Sequence, residues 1–170
     1  MASLIENLID VLSKENLQYQ ELIKLSEDKT SAIVNNDVVK LQDILGLEQR
    51  NIDIINKLET NREDCVKDIC CVLNLSQKGM RIDMIIEMLS KQPKEQEALR
   101  DIHMKLKRTL DYLMRINENN KVLLQESMDM VEFELNLARN SVMAPQTANY
   151  SKGACEQVGY GSIGSFDAKQ

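Results

Sequence analysis

The chain has 170 residues and a formal charge of −6, with 43% hydrophobic, 28% charged and only 4% aromatic side chains, two Pro and no Trp. That size allows one domain with a packed core. Few strand-forming aromatics among abundant Leu, Ile, Met, Lys, Glu, Asn and Gln argue for long helices. The acidic balance, with no basic run longer than Lys105, Lys107 and Arg108, argues against nucleic-acid binding, because phosphate backbones demand clustered cations.

Glu6 and Asp10 interrupt the apolar start and no basic stretch precedes it, so it does not read as a signal peptide. No segment approaches the roughly 18 uncharged apolar residues of a membrane span. The expectation is a cytoplasmic protein that does not insert into the membrane. The cysteines fit that compartment. Cys65, Cys70 and Cys71 fall on one helical segment and point about 100–140° apart, which suits neither a shared metal ion nor a disulfide, and Cys155 lies far off in the tail.

The first helix is expected from about Ala2 to Val34, with a stripe of Ile5, Leu8, Leu12, Tyr19, Ile23 and Ile33. Asn35, Asn36 and Asp37 break it. Asn36 is the expected N-cap of the next helix, with Asp37 at the positive end of that helix's dipole. The second helix continues to about Leu75 through Val38, Leu41, Leu45, Ile52, Ile55, Val66, Ile69 and Leu73. Glu48, Glu59 and Arg62 share that phase, so the seam is not apolar throughout, and Gly46 weakens it locally.

A turn over Ser76 to Gly79 leads to a short helix near Ile82–Ser90. Gln92 and Pro93 open the third long helix, because Pro loses nothing in a first turn. It is expected to run to about Val142 and stop before Pro145. Its stripe is Leu99, Ile102, Leu106, Leu110, Leu113, Asn117, Asn120, Leu124, Met128, Val131, Leu135 and Ala138, all within about 80° of one another, a pattern long enough to mean a coiled coil. Beyond Pro145, Gly, Ser, Gln and Asn replace the periodicity. A flexible, disordered tail over residues 145–170 is expected, following a helical coiled-coil domain over residues 1–144. Tyr150, Tyr160, Ile163 and Phe166 are its possible contacts with a partner.

The fold class is therefore all-α: an elongated antiparallel three-helix coiled coil with a short extra helix before the third long one. Helices of about 33, 39 and 50 residues would span about 50, 58 and 75 Å, so the third outruns its neighbours by roughly 15–25 Å. Val122, Leu123, Met130, Phe133 and Leu137 lie within about 100° of each other, roughly opposite the core stripe. A helix apolar on two faces sits in a larger core or binds something, and a three-helix bundle has no second core. These five residues are the candidate partner-binding surface, with a homo-oligomer as the alternative occupant. Asn117 and Asn120 occupy core phase, where three readings stay open: they fix register, lie exposed on the overhang, or bond to a partner.

Catalysis finds no support. His103 is the single histidine, with no nucleophile or base evident beside it, and no paired acids or metal-ligand spacing stand out. Gly159, Gly161 and Gly164 lack the strand and helix of a phosphate loop. The chain reads as a non-enzyme needing no cofactor.

Two stretches resemble the FlgN family of flagellar export chaperones. One is Ala32-Ile33-Val34-Asn35-Asn36-Asp37-Val38 with Leu41, Glu48, Leu58-Glu59 and Arg62. The other is Asn117-Glu118-Asn119-Asn120 with Leu123-Leu124 and the amphipathic run to Leu137. Tyr150 and Ser165-Phe166-Asp167-Ala168-Lys169 are similar to that family's tails. The chain departs from the family in its cysteines. The resemblance implies a cytosolic chaperone, using no nucleotide itself, that binds the terminal helices of hook–filament junction proteins, prevents premature assembly and delivers them to the flagellar type III export gate. It places client binding toward the C-terminal part: Asn117, Asn120, Val122, Leu123, Met130, Phe133 and Leu137, with the tail as a further contact. The competing reading is a structural or self-oligomerising coiled coil without an export client.

Overall fold

The computed structural model describes residues 2–76 and 79–143 and is helical throughout. Helix α1 spans Ala2–Val34, α2 Val38–Leu73, α3 Ile82–Met88 and α4 Pro93–Met143, with a 3-10 turn, Leu89–Lys91, between α3 and α4. The structure falls into two units, Met1–Phe133 and Glu134–Gln170. Of the second, only the last stretch of α4 lies within the described residues. The tail over 145–170, with Tyr150, Cys155, Tyr160, Ile163 and Phe166, lies outside them.

In the first unit the long helices pack as a three-helix bundle, and the polar contacts give its directions. Lys29 meets Glu48 and Glu15 meets Arg62, so α1 and α2 run antiparallel. Asn16 meets Thr109, Ser26 meets Asn117 and Thr30 meets Asn120, so α4 runs parallel to α1. Those pairs also set the layers. Leu22, Ile55 and Leu113 share one small apolar cluster, and the layers around Ser26 and Thr30 lie closer to the α1–α2 turn.

Both α1 and α2 end in the same way. Asn36 adopts φ +54°, and the Asn36 and Asp37 amides donate to Ile33 O and Ala32 O. Asn74 adopts φ +52°, and the Asn74 and Leu75 amides donate to Cys71 O and Cys70 O. This is the left-handed termination usually made by Gly. Asn tolerates it, and it satisfies carbonyls that the last turn leaves open. Asn36 therefore closes α1, and the expectation that it caps α2 is corrected: Asp37 Oδ1 accepts from the Lys40 amide at 3.0 Å and is the N-cap. The chain reverses over three residues because one residue ends a helix and the next begins another.

The core proper sits away from that turn. Ile5, Leu8 and Leu12 of α1, Ile69 of α2, Ile85, Ile86 and Leu89, and Leu99 and Leu106 of α4 form one buried cluster. Helix α3 and its 3-10 turn close this end. Gln96 Nε2 donates to Ile86 O at 2.7 Å and ties α4 to the short helix. Burial of this many Leu and Ile side chains contributes about 1.5–3 kcal/mol apiece, which is where the unit's stability concentrates.

One seam is corrected. Val38, Leu45 and Ile52 were expected inside α2's interface, yet they are 63%, 50% and 40% exposed. The buried positions are Ile44, Glu48, Asn51, Ile55, Ile69 and Cys70. From Ile44 to Ile55 they step by three and four residues, with Ile44 and Asn51 each one position before an exposed apolar residue. The polar residues Glu48 and Asn51 hold the seam and push apolar neighbours onto its flank.

Candidate functional site

The α4 stripe enters the bundle as expected and then loses its cover. Leu99, Leu106, Leu113 and Asn120 are buried. Beyond them Leu124, Met128 and Val131 are 41%, 59% and 52% exposed. The second stripe is bare as well: Val122, Met130 and Phe133 are 49%, 60% and 60% exposed, and Leu123 is half-buried. Leu124, Met128 and Val131, counted in the core stripe, lie on the part of α4 that outruns its neighbours. The reason is register. Thr30 lies against Asn120, and α1 ends only four residues later at Val34. Two apolar faces of one helix are open here. In the second unit, taken by itself, Leu135 and Leu137 are likewise exposed.

Asn117 and Asn120 are settled by their bonds. Asn120 is buried; its Nδ2 donates to Ser26 O at 2.8 Å and its Oδ1 accepts from Thr30 Oγ1 at 2.6 Å. Ser26 Oγ lies 3.2 Å from Asn117 Oδ1 and 3.4 Å from Glu48 Oε1, and its one proton serves either. Lys29 Nζ donates to both Glu48 oxygens, at 2.7 and 2.9 Å. Two consecutive layers beneath the α1–α2 turn are thus polar and joined within the chain. Asn120 belongs to the bundle interior and is removed from the candidate partner surface; Asn117 is exposed but contacts Ser26. Asn51 is buried in the same region with Oδ1 unbonded, a standing penalty on this end.

A third polar position lies lower. Arg62 Nε donates to buried Glu15 at 3.1 Å, and its Nη2 donates to Glu59 at 3.1 Å. Burial nevertheless raises the Glu15 carboxyl above its ordinary 4.5, outweighing the pull of Arg62. Tyr19 is raised for the same first reason, burial, with the Glu15 charge adding to it. Arg62 also lines a cleft of about 910 Å³, together with Val66, Met80, Ile82, His103 and Lys107 among others. His103 Nδ1 lies 3.2 Å from Asp83, whose carboxyl is held low, chiefly by the Arg81 hydrogen bond.

In this cleft the imidazole faces Oδ1 of a carboxylate whose Oδ2 accepts from Arg81 Nη2 at 2.8 Å. Cys65 is half-buried, and burial lifts its thiol, followed by the charges of Asp68 and Asp64, so the reactive thiolate is disfavoured. Among the described residues no three His, Cys, Asp or Glu side chains gather where a metal ion could sit, and no helix is long and apolar enough to cross a membrane.

The sequence reading missed Ser26, Glu15, Asn16 and Asn51 as interior residues. Their signal was available only as polar residues at seam spacing, and the apolar positions beside them mask it.

The chain matches the sequence model described as FlgN protein over residues 1–155. It is 26% identical over 163 residues to a Bacillus subtilis (strain 168) protein described as "Uncharacterized protein YvyG", covering 95% of this chain and 96% of that one. No solved structure matches. With a match that takes in all four helices, and a bundle whose last helix emerges bare, the chain belongs to the FlgN family of flagellar chaperones.

Proposed function

We propose that the protein is a cytoplasmic chaperone of type III flagellar export, holding the terminal helices of hook–filament junction proteins and delivering them to the export gate. One observation carries the reading: past Asn120, α4 exposes Leu124, Met128 and Val131 on one face and Val122, Met130 and Phe133 on the other. Apolar stripes of this spacing match the ridges of an amphipathic helix. Met supplies a side chain that adapts to differing partners.

The action is physical and needs no covalent step. A terminal helix whose apolar face awaits assembly partners is covered meanwhile by α4. Covering it would bury about 1,000–2,000 Å², the ordinary size of a specific interface. Ordering the client segment offsets about 2–5 kcal/mol of the gross gain, which keeps release at the gate feasible. The polar layers beneath this surface give the chaperone a fixed register.

The test is a double substitution, Met130→Ser with Phe133→Ser. Both side chains are exposed, so unfolding should shift by less than about 0.5 kcal/mol. Binding of a junction protein, read by calorimetry, should weaken about tenfold or more, equivalent to about 1.4 kcal/mol. A client bound as tightly by the variant as by the parent would remove the reading.

A further inference from the structure

The charges around the two stripes narrow the chemistry of what can lie on them, and this step rests on the docking reading above. Between Lys121 and Arg139 the sequence contains no Lys or Arg, but it contains Glu126, Asp129, Glu132 and Glu134. Glu126, Asp129 and Glu132 belong to the first unit with the stripes, are exposed, and have no cationic partner among the described residues. Elsewhere some exposed acids are paired about one turn away: Lys14 with Asp10, Lys24 with Glu21 and Lys121 with Glu118.

At about 100° per residue, Glu126 falls inside the stripe of Val122, Met130 and Phe133, while Asp129 and Glu132 form the ridge between the two stripes. A helix laid on either stripe runs alongside these carboxylates, and α4 supplies no Lys or Arg between Lys121 and Arg139. We infer that this surface takes amphipathic helices whose apolar stripe is flanked by Lys or Arg, one helix on each stripe, and that it turns away a second copy of itself. A second α4 would set three carboxylates against three in a partly desolvated contact, where like charges repel. A basic-flanked helix gains there, both in encounter rate and in pairing.

The experiment uses the full chain and two synthetic peptides of about 18 residues, five helical turns. They carry one identical Leu/Ile stripe, flanked by Lys in one and by Glu in the other. The Lys peptide should bind at least tenfold tighter at low ionic strength, with the gap closing as salt rises and screening shortens the reach of the charges. The calorimetric stoichiometry should approach two. Combined Glu126→Lys, Asp129→Lys and Glu132→Lys substitution should invert the preference while circular dichroism shows helicity retained, since Lys is a good helix former.

Equal binding of the two peptides, a failure of the triple variant to invert the order, or binding of neither peptide overturns the inference. So does sedimentation showing a parent dimer that dissociates on Met130→Ser with Phe133→Ser. If a junction protein still loses affinity on that same double substitution, the docking reading survives these outcomes.

Discussion

Around Leu8, Ile69 and Leu99 the three long helices meet through apolar side chains, whereas around Ser26, Glu48, Asn51 and Asn120 the same helices meet through polar ones. The two regions perform different work with one backbone plan. Apolar contacts are non-directional and strong in sum, so the end closed by α3 anchors the unit. Polar layers contribute little net free energy, yet each bond demands one partner at one height, so they fix how α1, α2 and α4 align. Fixing that alignment is what decides where α1 stops against α4, and hence where the bare surface begins. The lesson is that the exposed surface depends on register at the polar end and on stability from the apolar end.

The sharpest way to break this comparison is to disturb each region in turn. Leu8→Ala, at a fully buried position, should lower stability by about 2–5 kcal/mol in urea unfolding. A loss below about 1 kcal/mol would mean that the anchoring lies elsewhere. Asn120→Ala removes two bonds and leaves the Thr30 hydroxyl only its bond to Ser26 O; about 1–3 kcal/mol should be lost by the same measurement. Asn51→Leu should instead be neutral or stabilising by about 1 kcal/mol, because its Oδ1 is buried without a bond. A destabilisation of that size by Asn51→Leu would contradict the account of the polar layers.

Glu15 sharpens the comparison through pH, with the smallest effect. Its carboxyl is raised above 4.5 by burial, so the folded state holds the proton more tightly than the unfolded chain does. Its contribution is present in full below the unfolded value and is lost as pH rises through the folded one. Relative to Glu15→Gln, the parent should therefore lose stability as pH climbs from about 4 toward neutrality. The difference in urea midpoint between the two, followed across that range, checks the sign; a parent that gains on Gln over the same climb would refute it.

Legibility followed chemistry closely. Helix bounds were readable because Asn, Pro and apolar periodicity are local signals, and α1, α3 and α4 lie close to where those signals place them. The α2 seam was not, because Val38, Leu45 and Ile52 form a better apolar stripe than the one the bundle uses. Glu48 is buried with Lys29 and Ser26 of α1 as its partners, and no reading of α2 alone contains them.

The sequence by itself determined that this chain is helical, that α4 is longer than its neighbours and that α4 is apolar on two faces, since these follow from propensity and a 3.6-residue period. Only the tertiary structure decided that both faces emerge bare after Asn120 and that Asn120 itself turns inward. The physical reason is that exposure is a property of register between helices. That register is set by bonds such as Thr30 to Asn120, ninety residues apart along the chain.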